Sequence, residues 1–425
     1  MTDHWNAIIK DLQEQAKVRK KREFQDSANG RLVKERYAAS ERTRKELERR
    51  LEQLPSRYFS SQKEQQADLR ILKSAMAALQ VEIAGTATLE AQMFLADIDE
   101  TLIDTLKRDC HFDLDSLKKK QAYRKFTSKN SVPLPQPEPL RPPDPPRPGV
   151  VPEPQGLGKM LGGKRRYEEA VAEAQFAHEN AMQEWESESA RITAWQFEQT
   201  KEYERQVAAR ANALESEKRK YNEAERLHQV RTAERNAFVE ALKSDYVAGL
   251  DSAVERYASL VFASALYPMN VPLQITHEYQ RDFGEMRVQI VFPDPSALPT
   301  VKGYRFTRAS DDLQEIVVTQ KEARERYLNL VRNLSLRVIH EIFESDRPGH
   351  IQTISLSGWV DHLSPATGKE THTQVIAVAV DRKSFKEIDL RRANPAESLR
   401  YLGAVVSKDP SGYVPILDQY GVRGQ

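Results

Sequence analysis

The segment VIAVAVDRKSF, residues 375–385, joins two kinds of secondary structure. An alternating apolar run reaches Val380, which is typical of a buried β-strand. Asp381 stands at the N-cap position of a helix that is predicted to begin near Lys383. A strand that leads directly into a helix indicates that the C-terminal part of the chain contains both elements.

The sequence on both sides of this segment predicts an α+β domain over residues 267–425. Four short segments are rich in β-branched and aromatic residues and are separated by Gly and Pro, and are therefore predicted strands: 272–279, 285–292, 301–307 and 313–319. The remaining predicted elements are a helix at 320–344, strands at 350–360 and 373–381, and short helices at 383–389 and 394–402.

The N-terminal two thirds of the chain are predicted to be long α-helices or coiled coil. Residues 1–54 are charge-dense with apolar residues at helical spacing, and Pro55 ends the run. A second helical run, 61–126, has a heptad-like seam made of Leu69, Leu72, Met76, Leu79 and Ile83. Residues 1–130 are therefore predicted to form a helical hairpin or coiled-coil region, and such faces favour self-association.

A proline-rich segment divides the chain. Residues 131–156 hold 11 of the 22 prolines, a composition that forms extended polyproline segments and no core. We predict a linker over 131–157, with a ligand for an SH3-like domain as the alternative. A long helical region is predicted over 158–266, and its apolar end should pack on the α+β domain.

Composition limits the class of protein. The net charge is +1, so binding to nucleic acid requires a local basic patch. A single cysteine, Cys110, excludes an intramolecular disulfide framework and fits a reducing compartment. The sequence contains no apolar signal segment and no run of about 18 apolar residues. These features predict a soluble, cytoplasmic protein without membrane contact.

Two basic groups are the candidates for contact with nucleic acid. The first interleaves cations with Tyr123 and Phe126, and consists of Lys118, Lys119, Lys120, Arg124 and Lys125. Such a pattern can neutralise phosphates, although a solvated helix end is the simpler interpretation. The second group, Lys164, Arg165 and Arg166, follows a glycine-rich segment. Arg165 replaces the Ser or Thr of a phosphate loop and a proline-rich segment replaces its strand, so nucleotide binding is not predicted.

Possible catalytic sets are few. Metal-dependent nucleases hold a divalent ion with carboxylates and use a lysine to orient or activate water, which makes Asp361, Asp381 and Lys383 an alternative catalytic set. His340, Glu341 and Glu344 spell H-E-x-x-E, but the second histidine of zinc proteases is missing. We therefore predict no bound metal and no cofactor, with a divalent metal only in the nuclease alternative.

Several motifs together resemble a known family. They are H-E-x-F-E-x-D-R at His340–Arg347, V-D-x-x-x-P-A-T-G at Val360–Gly368, F-x-x-x-D-L at Phe385–Leu390, and L-x-A-x-V-S at Leu402–Ser407. With LGKMLGGKRRYEEAVAEAQ they are similar to the region that precedes the nuclease domain in bacterial restriction-system proteins of the Mrr type. The similarity covers roughly residues 157–410. In that family the region continues into a nuclease domain with its own acid and Gln-x-Lys signature, which does not follow residue 410 in this sequence. The resemblance therefore implies a genome-defence or DNA-processing context and does not transfer the cutting activity.

These observations predict a non-enzymatic accessory component of a bacterial restriction or antiphage system that binds DNA or a partner. A separately encoded nuclease or another defence protein would be that partner. Two alternatives remain open: a divalent-metal nuclease, and a coiled-coil scaffold that does not bind nucleic acid.

Overall fold

The computed structural model describes residues 2–54, 62–153, 163–269, 271, 273–364 and 366–416. It divides into two compact units, of which one combines Met1–Leu117 with Phe238–Gln425 and the other spans Lys118–Ala237. Long helices dominate the N-terminal part, and the C-terminal part is an α+β region. The predicted fold class is therefore confirmed.

Four helices form the N-terminal part of the first unit. They are α1 (Thr2–Asp26), α2 (Ala28–Gln53), α3 (Gln62–Asp99) and α4 (Thr101–Leu106). Ser27 separates the first two, because its hydroxyl accepts a hydrogen bond from the backbone N–H of Gly30 at 3.0 Å and caps α2. A side chain at Gly30 would overlap the carbonyl oxygen of Phe24, so the tight turn needs glycine.

Helices α2 and α3 pair through a small leucine core. Leu47 and Leu54 of α2 pack with Leu72 and Leu79 of α3, and Leu69, Met76 and Ile83 flank them. The predicted seam of α3 is therefore buried within the chain by α2. Self-association through these helices stays a prediction.

The C-terminal part is built on a five-stranded sheet in the order β1-β2-β5-β6-β7. Its strands are β1 (Gln274–Gln280), β2 (Glu285–Phe292), β5 (Thr353–Leu363), β6 (Glu370–Asp381) and β7 (Val405–Val406). β2 and β5 are parallel, and the other neighbours are antiparallel. A separate hairpin of β3 (Val301–Thr307) and β4 (Asp312–Val317) packs on α3, where Thr88 exchanges hydrogen bonds with the backbone of Tyr304.

Helices cover the buried side of this sheet. They are α6 (Asp251–Ser264) and α7 (Gln320–Ser345), with the short α8 (Arg382–Lys386) and α9 (Pro395–Tyr401) near its edge. α6 packs against β1 and α7, while α7 packs against β5. Alternate residues of β2, such as Val288 and Ile290, are buried in the same core as Leu334 and Val338 of α7. The face of β2 that repeats every two residues and the face of α7 that repeats every 3.6 residues thus pack in one hydrophobic core.

Helix α5 (Gly163–Val247) is 85 residues long and ends before α6 begins. The sequence predicted one continuous helical region, but Gly249 has a φ of +71°, a left-handed conformation that interrupts a helix and favours glycine. The last turns of α5 contribute Leu242 and Tyr246 to the core of the first unit. The predicted packing of this apolar end is therefore observed.

The second helical run is shorter than the predicted 61–126. α4 ends at Leu106, and residues 107–128 lack α-helix apart from a short 3-10 turn at Leu114–Leu117. Aspartate side chains hold backbone turns here, since Asp109 accepts from the N–H of His111 and Asp113 from that of Asp115. Three predicted features lie outside the described residues: Pro55, the end of the predicted linker at 154–157, and the glycine-rich residues 156–162.

Candidate nucleic-acid interface

Residues 118–153 run beside α5 without regular secondary structure of their own beyond a 3-10 turn at Lys129–Ser131. The amide of Asn236 on α5 accepts from the backbone N–H of Lys119 at 2.9 Å and donates to its carbonyl at 3.0 Å. Further along, the hydroxyl of Tyr221 donates to the carbonyl of Arg124. The backbone of the first basic group is thus attached to a long helix, and the predicted solvated helix end is an extended segment.

The two aromatic residues of this segment face α5. Tyr123 packs against Tyr221 and His228, with ring centroids 5.5 and 5.1 Å apart, and Phe126 meets Tyr221 at 5.2 Å. Both side chains are half-buried. Since these rings are engaged within the protein, the interface offers cations and not a platform on which bases would stack.

Most of the cations of this segment are exposed. Lys119, Lys120, Arg124 and Lys125 are exposed, whereas Lys118 is half-buried. Within the described residues, no carboxylate lies within ion-pairing distance of these four exposed side chains. A chain of nearly zero net charge therefore carries a short row of unneutralised positive charge.

The second basic group lies at the other end of α5. Lys164, Arg165 and Arg166 are exposed in its first turn, and Arg165 pairs with Glu169 at 3.0 Å. The 56 residues of helix from Arg165 to Tyr221 span ~84 Å at ~1.5 Å per residue. The two predicted basic groups therefore do not form one surface.

The residues of the nuclease alternative are separated by the register of the sheet. Asp381 pairs with Thr353 at one end of β5, while Asp361 pairs with His372 near the other end. Along β5 the two positions are eight residue steps apart, or ~27 Å at ~3.4 Å per residue. The carboxylate of Asp381 instead accepts from the backbone N–H of Ser384 at 2.9 Å and caps α8. Hydrogen bonds from the side chain and from the backbone N–H of Ser384 lower the pKa of Asp381.

The H-E-x-x-E segment is a structural part of α7. Glu341 is buried, accepts from the guanidinium of Arg337 at 2.7 Å, and accepts from the hydroxyl of Tyr267 at 2.8 Å. Burial lowers the pKa of His340. Within the described ranges, no group of three or more His, Cys, Asp or Glu side chains is arranged to hold a metal ion.

Cys110 and His111 lie in the loop after α4 and do not form a reactive pair. Burial raises the pKa of the Cys110 thiol to about 12, which disfavours the thiolate needed for nucleophilic or metal chemistry. Nδ1 of His111 is hydrogen-bonded to the hydroxyl of Tyr257 at 2.7 Å. His111 therefore contributes to the contact between this loop and α6.

A groove of about 1000 Å³ lies between α1 and the segment from α6 to β1. Its apolar lining includes Phe262 and Ile275, and Lys17 and Lys21 lie beside them. His277 also lines it, with Nε2 donating to the carbonyl of Glu255 at 2.8 Å and with a buried Nδ1 that has no hydrogen-bond partner in the described part of the chain. The sequence does not reveal this groove, because its walls come from segments far apart in the chain.

Comparisons with protein families, with curated proteins and with solved structures give no match for this chain. Among the helices of the described ranges, none combines the length and the apolar character that crossing a membrane requires.

Proposed function

We propose that the protein is a binding component that contacts the phosphate backbone of nucleic acid through the basic row Lys119, Lys120, Arg124 and Lys125. The observation that carries this proposal is the row of exposed cations on a backbone that α5 holds in place. Each lysine or arginine set against a phosphate releases condensed counterions, which favours binding. Fixing the backbone in advance reduces the entropy that binding must overcome.

The proposed contact is insensitive to base sequence. Tyr123 and Phe126 pack against α5, so the available groups are charged side chains that recognise phosphates. A bacterial restriction or antiphage system is the context we propose for this binding, on the basis of the resemblance of residues 157–410. A reducing, cytoplasmic location is part of the same proposal.

Fluorescence anisotropy with labelled duplex and single-stranded oligonucleotides tests the proposal on the full chain over a salt series. The test variant replaces Lys120, Arg124 and Lys125 by Gln. With about 100 mM salt we expect at least about tenfold weaker binding, and the slope of log K against log salt should fall by about 2 to 3.

A matched control removes the same number of charges elsewhere. Arg31, Lys34 and Arg36 are exposed on α2, and their replacement by Gln should change the affinity less than about twofold. Equal losses in the two variants would show that binding follows net charge and not the basic row. Absence of binding by the unmodified protein would favour a scaffold that does not contact nucleic acid.

A further inference from the structure

The proline-rich segment is attached to α5 through its carbonyl groups. Trp185 donates its indole N–H to the carbonyl of Pro143 at 2.6 Å, and the amide of Gln196 donates to the carbonyl of Leu140. The hydroxyl of Tyr203 lies 3.5 Å from the carbonyl oxygen of Leu134. Proline has no N–H to form a strand ladder, so side chains of the helix satisfy these acceptors instead.

The lengths of the two elements match. From Trp185 to Tyr203 α5 advances 18 residues, and their partners Pro143 and Leu134 are 9 residues apart in the opposite direction. At ~1.5 Å per helical residue and ~3.1 Å per residue of polyproline helix, the two paths are ~27 and ~28 Å long. Because the two lengths agree, an extended segment can contact α5 along this whole distance.

The contacts follow the threefold repeat of a polyproline helix. Leu134, Leu140 and Pro143 are separated by multiples of three, which places them in one row of a helix with three residues per turn. Within 131–150, the half-buried residues are Leu134 and Pro146, which belong to that row. This row therefore supplies the contacts with α5, although the side chains of Leu140 and Pro143 stay exposed, and the other two rows are exposed throughout 131–150.

The two outward rows differ in chemistry. One holds prolines at every third position: Pro139, Pro142, Pro145 and Pro148. The other is charged: Glu138, Arg141, Asp144 and Arg147. All eight residues are exposed. Together the rows present Pro142-x-x-Pro145-x-Arg147 on one surface.

We propose that residues 138–148 are a pre-ordered polyproline ligand for a partner domain with an aromatic groove and acidic side chains beside it. Such a groove takes two rows of a three-sided helix, and its acidic groups would pair with Arg147. The row that it leaves free is the row that α5 already occupies. Because α5 holds the segment extended, much of the ordering entropy is removed before the partner binds. This inference does not depend on nucleic-acid binding.

The test uses the full chain and a purified SH3 domain that selects P-x-x-P-x-R ligands as the probe, with affinity measured by calorimetry. Pro145→Ala and Arg147→Gln change the outward rows and should each weaken binding by about tenfold. Pro143→Ala is the matched control, because it changes the inward row and keeps the carbonyl that Trp185 contacts. We expect less than about a threefold effect from it. Equal losses for Pro143→Ala and Pro145→Ala would overturn the assignment of the rows.

A second comparison tests the role of α5. A free peptide of residues 136–150 should bind the probe more weakly than the full chain does, and Trp185→Phe should lower the affinity of the full chain toward that of the peptide. Tighter binding by the peptide, or a gain in affinity in Trp185→Phe, would mean that α5 hides the segment and would overturn the proposal. Failure of both the peptide and the full chain to bind would overturn it as well.

Discussion

Asp346, buried at the end of α7, forms an ion pair with the largely buried Arg382 at the start of α8. The same carboxylate oxygen of Asp346, Oδ2, also accepts from the backbone N–H of Ile351 at 2.8 Å, and the guanidinium of Arg382 donates to the carbonyl of Ile351 at 2.7 Å. The pair thus connects the helix α7, the turn before β5 and the end of β6. Asp346 belongs to the H-E-x-F-E-x-D-R motif, so this part of the motif has a structural role.

We expect Asp346→Ala to lower the free energy of unfolding by about 3 kcal/mol, because the largely buried guanidinium of Arg382 would lose its carboxylate partner and keep only carbonyl acceptors. Urea denaturation of the purified variant measures this change. Asp389→Ala is the control, since Asp389 pairs with Arg392 at 3.6 Å on the surface. It should cost less than about 1 kcal/mol. Similar losses in the two variants would contradict the structural role of the buried pair.

The capping role of Asp381 predicts a pattern that a catalytic role would not produce. Asp381→Ala should cost about 1 kcal/mol of stability, because the N–H of Ser384 loses its acceptor. Asp381→Asn keeps an oxygen acceptor and should stay within about 0.5 kcal/mol of the unmodified protein. Lys383→Ala should likewise stay within about 0.5 kcal/mol of the stability of the unmodified protein. Metal-dependent DNA cleavage that disappears in Lys383→Ala would show that this junction is catalytic.

Two glycines should respond to alanine in opposite directions. A Cβ at Gly358 would overlap Ile376 and Phe292 in the core, so Gly358→Ala should destabilise the protein by about 1 to 3 kcal/mol. Gly85 lies inside α3 with open space around it, and Gly85→Ala should stabilise by about 1 kcal/mol because alanine favours the helix. Thermal denaturation of both variants provides the measurement. A stable Gly358→Ala protein would contradict the packing between β5 and β6.

His277 should make stability fall in mild acid. Burial lowers the pKa of its ring below the usual 6.5, so the folded protein keeps it neutral at pH values where the unfolded chain is protonated. In that range the unfolded state binds more protons, and the free energy of unfolding decreases as the pH falls through 6.5. Nuclear magnetic resonance titration of the His277 ring measures the pKa directly. His277→Gln, which removes this titration, should reduce the loss of stability, and a ring pKa at or above 6.5 would contradict the prediction.

Sequence alone was sufficient for the elements that depend on local chemistry. The strands from β1 to β6 were predicted within a few residues because β-branched and aromatic residues alternate between turn signals. The helix α7 was predicted from its apolar period, and its capping box of Thr319 and Glu322 marks its start. The capping role of Asp381 was also recognised from its place between a strand and a helix.

Contacts between distant segments were decided by the tertiary structure. Periodicity shows that Leu72 and Leu79 need a partner face, but only packing places α2 of the same chain there. The separation of Asp361 from Asp381 follows from strand register, which two acidic residues in a sequence do not reveal.

The proline-rich segment shows the same division. Its composition determines an extended polyproline conformation, because proline restricts φ and cannot donate a backbone hydrogen bond. Its course along α5 depends on Trp185, Gln196 and Tyr203, whose side chains reach its carbonyl groups from more than forty residues away in sequence. Local backbone preferences are set within a few residues, whereas hydrogen bonds across such distances form only when the folded chain brings the two segments together.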